Sequence, residues 1–186
     1  MTGFAMCGSF CNFKVCFKEL ERMVKSGEDV LPIMSFNVIS TDTRFGDAKE
    51  FIKQAENLCG RKVVCSLAEA EPLGPKIPLD CLCICPCTGN TLAKLSCGIC
   101  DTPVTLAAKA HLRNDRPLVI ALASNDGLCG NAENFGRMLA RRNVYFVPLR
   151  QDDALKKPRS LVCEFSLLAD TVERAKKGGQ KQPILL

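Results

Sequence analysis

The sequence predicts an α/β protein in which a doubly wound, mostly parallel sheet lies between two layers of helices, a three-layer αβα sandwich. Three observations predict it. Short runs such as Pro117 to Ala123 (PLVIALA) are apolar without interruption, as strands buried on both faces must be. Strand-like and helix-like patterns alternate from one end of the chain to the other. The segments that follow the apolar runs switch abruptly to Gly, Ser, Thr and Asn.

The elements follow in order. Gly3 to Cys7 is a first buried strand; its apolar start lacks a basic region and a cleavage pattern, so it reads as structure rather than as a signal peptide. After Gly8-Ser9 a helix carries Val15, Glu19, Arg22 and Met23 and stops at Ser26-Gly27. Asp29 to Phe36 is the next strand, and the polar loop Ser40 to Thr43 leads to a helix through Phe51, Ile52, Ala55 and Leu58, closed by Cys59-Gly60. Lys62 to Cys65 suits a brief strand. Three prolines and a glycine make Glu71 to Pro78 a surface loop.

Cys81 to Cys85 is a strand and Thr88 to Cys97 a helix. Asp101-Thr102-Pro103 starts another helix, because Asp or Thr can cap and Pro suits the first turn. Pro117 to Ala123 is a strand, Gly130 to Arg142 a helix, Val144 to Pro148 a strand and Leu167 to Lys177 a final helix. A single domain over residues 1–186 is expected, with 150–186 as a C-terminal loop and helix extension.

Composition narrows the function. Hydrophobic residues make up 47% and charged residues 24%, the balance of a globular chain, and no apolar run nears the roughly 20 residues of a membrane span. The formal charge of +5 is spread over small clusters without interleaved aromatics, which argues against a nucleic-acid surface. A mild positive field favours an anionic substrate or cofactor. Thirteen cysteines, an odd number without an export signal, fit free thiols in a reducing cytoplasm.

In a doubly wound fold, ligands sit beyond the carboxyl ends of the strands. Gly8-Ser9-Phe10 follows the first strand, where glycine lets a phosphate approach the backbone, Ser can donate, and a helix N-terminus favours an anion. It is neither GxGxxG nor a Walker loop, and a plain turn with an N-capping Ser fits the same residues. Ser35 ends the second strand. Thr88-Gly89-Asn90-Thr91 follows the fourth, with amide and hydroxyl groups suited to a heterocycle edge or a phosphate, or to capping the helix. Ser124-Asn125-Asp126-Gly127 is a third such turn, and three on one sheet edge strengthen each other.

CLCICPC, residues 81 to 87, invites a metal reading that strand geometry opposes. Cys81, Cys83 and Cys85 share one face at roughly 6.5–7 Å spacing, whereas a tetrahedral zinc needs sulfurs about 3.8 Å apart. Cysteine here reads as core filler, and only Cys87, at the strand's mouth, is placed to touch a ligand. His111, the only histidine, reads as a helix-surface residue. Lys94 reads as a half-buried stem with a solvated amine, and Asp152-Asp153 as an exposed pair in a polar loop. No catalytic residue is assigned.

PCTGNTLAKLSCGICDTPVTLAAKA, from Pro86, resembles the PxxANTxAKxAxGxADxLxT signature of the FMN-binding flavoproteins that include phosphopantothenoylcysteine decarboxylase. Gly8-Ser9 is similar to that family's phosphate-binding turn, and Ser124-Asn125 falls where it has Pro-Ala-Met-Asn. One branch, from spore-forming bacteria, shares more: FNVxSTxTRFG at Phe36 to Gly46, AEPLGPKxPLDC at Ala70 to Cys81, RNxRP at Arg113 to Pro117, the stretch Arg150 to Ser160, and the terminal QPILL. The resemblance covers essentially the whole chain.

The resemblance implies a flavodoxin-like or Rossmann-like fold and FMN held by Gly8, Ser9, Phe10, Ser35, Thr88, Gly89, Asn90, Thr91, Ser124 and Asn125. For the branch it implies an oxidoreductase subunit that helps convert a dihydropyridine-level dicarboxylate to an aromatic pyridine dicarboxylate during sporulation. The partner subunit resembles a nicotinamide-binding dehydrogenase, so NAD(P) would enter through it. Homo- and hetero-oligomers in the mother-cell cytoplasm are implied as well. The family's decarboxylases carry a catalytic His in an HIxL stretch, where this chain has Pro75-Lys76-Ile77-Pro78-Leu79 and no His. A decarboxylase, and a non-catalytic partner with an unused flavin site, are the alternatives.

Overall fold

A computed structural model describes residues 1–186. The strands are β1 (Thr2–Met6), β2 (Val30–Met34), β3 (Cys81–Thr88), β4 (Leu118–Ser124), β5 (Val144–Phe146), β6 (Leu149–Asp153) and β7 (Lys157–Cys163). The helices are α1 (Phe13–Lys25), α2 (Phe36–Ser40), α3 (Ala48–Cys59), α4 (Leu67–Ala70), α5 (Gly89–Ser96), α6 (Pro103–Arg113), α7 (Ala132–Leu139) and α8 (Leu168–Lys176). The sheet runs β2-β1-β3-β4-β7-β6, with β5 also against β4. Helices α1 and α8 cover one face and α5, α6 and α7 the other, so the expected αβα sandwich with a parallel-dominated sheet is what forms.

Strands β1 to β4 are buried almost throughout, because each faces helices on both sides. The core is one cluster of 46 buried residues. β4 divides its outer edge between two partners. Leu118 to Ile120 pair in parallel with β5, while Ala123 and Ser124 pair antiparallel with Val162 and Leu161 of β7. Val64 bridges Ile33 at the far edge, and Leu185 bridges Leu149 at the near one.

Several boundaries differ from expectation. Phe36 is not in the second strand: β2 ends at Met34, and Phe36 opens a short helix. Lys62 to Cys65 gives only the Val64 bridge, whose N–H and carbonyl bond Pro32 and Met34 of β2. The loop before β3 is preceded by α4, which a capping box of Ser66 and Glu69 starts. β3 runs on to Thr88 through a register shift between Ile84 and Cys87, where Pro86 has no N–H for the ladder. Residues 149–163 form an antiparallel hairpin rather than a loop. Charged residues hid it: Asp152 and Asp153 lie on β6, and Asp153 accepts the N–H groups of Leu155 and Lys156 to close the turn.

All thirteen cysteines are free thiols. Burial pushes Cys81 up to about 12 and drives Cys83, Cys85, Cys87 and Cys163 well above the ordinary thiol range. Cys87 is fully buried, with its thiol 3.6 Å from the Thr88 carbonyl oxygen, which corrects its expected place at the cleft mouth. In the native protein, Ellman's reagent should modify Cys11, Cys97 and Cys129 rapidly, and the seven buried thiols only after denaturation. Rapid native labelling of Cys83 or Cys85 would contradict this packing.

Candidate functional site

The strand order reverses between β1 and β3, because the chain passes from β1 outward to β2 and only later returns to β3 on the other side. Helices α1 and α5 leave these neighbours on opposite faces, so a gap opens beyond their carboxyl ends. A cleft of about 1020 Å³ occupies it.

At the end of β1, Ser9 N–H donates to the Cys7 carbonyl at 2.7 Å and Asn12 N–H to the Ser9 carbonyl at 3.0 Å. Ser9 makes no side-chain cap; its Oγ accepts from Asn12 Nδ2 at 2.8 Å, which leaves the hydroxyl hydrogen free to donate. The N–H groups of Gly8, Phe10 and Cys11 find no acceptor in the chain. Three backbone donors and a hydroxyl at the start of α1 form a cradle for an anion.

Thr88 ends β3 and caps α5, accepting the Thr91 N–H at 3.2 Å and donating to Thr91 Oγ1 at 3.1 Å. Thr91 is buried behind the wall, and Ser35 is buried beyond β2, its N–H bonded to the Met6 carbonyl; neither lines the cleft. The other eight expected site residues do: Gly8, Ser9 and Phe10 at one end, Thr88, Gly89 and Asn90 centrally, Ser124 and Asn125 at the other.

Residues that sequence reasoning did not assign complete the walls. Ser124 and Asn131 both donate to Asp126, Asn131 at 2.9 and 2.8 Å to its two oxygens, and Asn134 in turn donates to Asn131 at 2.9 Å. These bonds, Ser124's first, hold the Asp126 carboxyl below the usual range. A Cβ on Gly89 would fall 2.6 Å from Ser124 Oγ, 2.7 Å from Asn131 Nδ2 and 2.9 Å from Asp126 Oδ1, so only glycine lets α5 start against this network. Asp126 was visible in the turn after β4, whereas Asn131 reads as an ordinary helix start.

The hairpin supplies Asp152 and Lys157, paired at 2.6 Å, and the loop before α3 supplies Arg44 and Phe45. Of the exposed acidic pair expected at 152–153, Asp152 is exposed on the cleft wall, while Asp153, half-buried at the end of β6, accepts the N–H groups of the turn.

His111 is not on a helix surface. Val104, Ala107, Ala108 and His111 form the buried stripe of α6, and His111 Nε2 lies 2.8 Å from the Pro117 carbonyl. Desolvation pushes its pKa down to about 4, and Nδ1 has no partner. Lys94 is half-buried with an ion-paired amine, its Nζ 2.9 and 2.8 Å from the oxygens of Asp101. No group of three or more His, Cys, Asp and Glu side chains is arranged to hold a metal ion.

The architecture and the cleft at its switch point define a flavoprotein-type αβα protein, and the chain belongs to the Flavoprotein family, whose pattern matches residues 13–164. More particularly, it is 45% identical over 184 residues to the B subunit of dipicolinate synthase from Bacillus subtilis (strain 168), spanning 99% of this chain and 92% of that one. The crystal structure of the same synthase's B subunit from Bacillus halodurans C superposes with a TM-score of 0.91 at 40% identity, over 100% and 95% of the two chains. The FMN-dependent cysteine decarboxylase SpaF shares the fold at a TM-score of 0.65 and 19% identity, over 94% and 95%.

Gly89→Ala should cost about 1–3 kcal/mol in urea unfolding by displacing the Ser124–Asp126–Asn131 network; an unchanged midpoint would show that the approach is loose. Because His111 is depressed to about 4 from 6.5, the unfolded chain binds its proton first as pH falls. Stability linked to it is therefore complete above pH 6.5 and lost toward pH 4, on the order of 3 kcal/mol. His111→Gln should flatten the fall in stability between those values, measured by urea titration.

Proposed function

We propose that this chain is the FMN-binding subunit of a dipicolinate synthase, working with the synthase's A subunit in the sporulating mother cell to oxidise a dihydrodipicolinate-level precursor to dipicolinate. The observation that carries the reading is the likeness to the B subunit of that synthase along 99% of the chain. The cleft supports it independently. Its anion cradle at Gly8, Ser9, Phe10 and Cys11 suits the phosphate of FMN, and about 1020 Å³ is ample for the ring system. Asn90 and Asn125 carry side-chain amides with no partner in the chain, able to meet the polar edge of the ring.

Bound FMN supplies a two-electron acceptor, the chemistry that aromatising a dihydropyridine requires. The chain's own part is to bind, orient and exclude water. Phe10 and Val162 give the cleft apolar surface, and Asp126, satisfied by Ser124 and Asn131, keeps its charge fixed in place. Histidine-assisted decarboxylation finds no support, since His111 is buried away from the cleft. Electrons would leave through a nicotinamide on the other component of the synthase, in a hetero-oligomer built on homo-oligomers of this chain.

The purified protein, or the protein mixed with FMN, should show a bound-flavin visible spectrum, and Ser9→Ala and Asn90→Ala should each weaken FMN binding about 3- to 10-fold. A colourless protein that takes up no FMN would sink the reading. Dipicolinate should form when the two components are combined and far more slowly with either by itself.

A further inference from the structure

The turn between α2 and α3 is built more firmly than a connection requires. Thr43 and Gly46 exchange backbone hydrogen bonds in both directions, each 3.1 Å, closing a four-residue loop. Within it, Phe45 N–H donates to Thr43 Oγ1 at 3.1 Å, and at its base Asp42 Oδ1 accepts the Ala48 N–H at 2.9 Å. Gly46 has φ +143°, and a Cβ there would fall 2.7 Å from the Phe51 ring. The loop therefore returns directly over Phe51, which stacks on Phe10 of the cleft with centroids 6.3 Å apart. Only Arg44 and Phe45 stand at the tip, and both line the cleft.

The charges of the cleft single out Arg44. Lys157 is neutralised by Asp152 at 2.6 Å, and Asp126 is satisfied by Ser124 and Asn131. Arg44 forms no ion pair and no hydrogen bond; its guanidinium carbon lies 4.8 Å from the Phe45 ring centroid. It is the one cation on the cleft wall without a carboxylate, carried on a pinned loop beside an aromatic face. A guanidinium matches a carboxylate with two parallel N–H donors, and an aromatic ring packs against another planar ring.

We propose that Arg44 and Phe45 form the clamp that selects a planar ring bearing a carboxylate, with Arg44 binding the carboxylate and Phe45 covering the ring. The identity of that ring rests on the reading of the cleft as the site of dipicolinate formation. Arg44 thereby acts as a specificity residue, and the oxidation itself needs nothing from it.

The test uses the full chain loaded with FMN, by itself and in complex with the other component of the synthase, titrated calorimetrically with pyridine-2,6-dicarboxylate and with the neutral pyridine-2,6-dicarboxamide. FMN affinity is measured separately by flavin fluorescence. The unsubstituted protein should prefer the dicarboxylate; Arg44→Gln should weaken it at least about tenfold and leave the diamide and FMN unchanged, with Arg44→Lys intermediate. Equal dicarboxylate binding by Arg44→Gln overturns the clamp, as does an unsubstituted protein that binds neither ligand. Loss of FMN affinity in Arg44→Gln also overturns it, assigning the guanidinium to the cofactor's phosphate. A protein that binds no FMN yet discriminates through Arg44 keeps the clamp and removes the flavin reading.

Discussion

The cleft depends on one arrangement of strands: β1 and β3 lie side by side, yet their connections depart to opposite faces of the sheet. No loop can cross directly from one carboxyl end to the other, so a gap is unavoidable there. The residues that first leave the strands, Gly8-Ser9 on one side and Thr88-Gly89 on the other, become its walls. Everything further out is held in relation to this gap. The hairpin docks on the last two residues of β4, and the loop carrying Arg44 returns over Phe51.

The core and the cleft make opposite use of small side chains. In β3 the cysteines fill volume between layers, and burial keeps their thiols protonated and inert. At Gly89 the absence of a side chain admits three polar groups within contact distance of the backbone. A larger residue at Gly89 would separate α5 from the turn after β4 and open the central wall of the cleft, whereas larger residues at Cys81 or Cys85 would press on α8 and α1 across the other face.

Much of this was legible. Uninterrupted apolar runs gave the parallel strands, and the Gly, Ser, Thr and Asn turns after them marked eight residues that do line one cleft. What escaped was set by tertiary contacts. The hairpin was hidden because Arg150 to Asp153 face solvent and the cleft rather than the core, so no apolar alternation announces β6. His111 was misplaced because a lone imidazole on a stripe of Val104, Ala107 and Ala108 looks polar, although one carbonyl is enough to let it be buried. From the residues Ser9 suits a cap and an anion ligand alike; in the structure it makes no side-chain cap, and its Oγ accepts from Asn12 instead. Arg44 falls within the branch motif at Phe36 to Gly46, but its place on the cleft is not readable until the loop's closure and its direction are known.

The two bridges at the margins of the sheet have a further consequence. An unpaired strand edge is a template for joining another chain, and proteins blunt such edges by covering or charging them. Here Val64 covers Ile33 beside β2, Leu185 covers the start of β6, and the rest of β6 is Arg150, Gln151, Asp152 and Asp153. Neither margin offers a long apolar ribbon. A second chain brought against either margin would meet a short bridge or a row of charges rather than an open ladder, so the sheet stays sealed within the molecule.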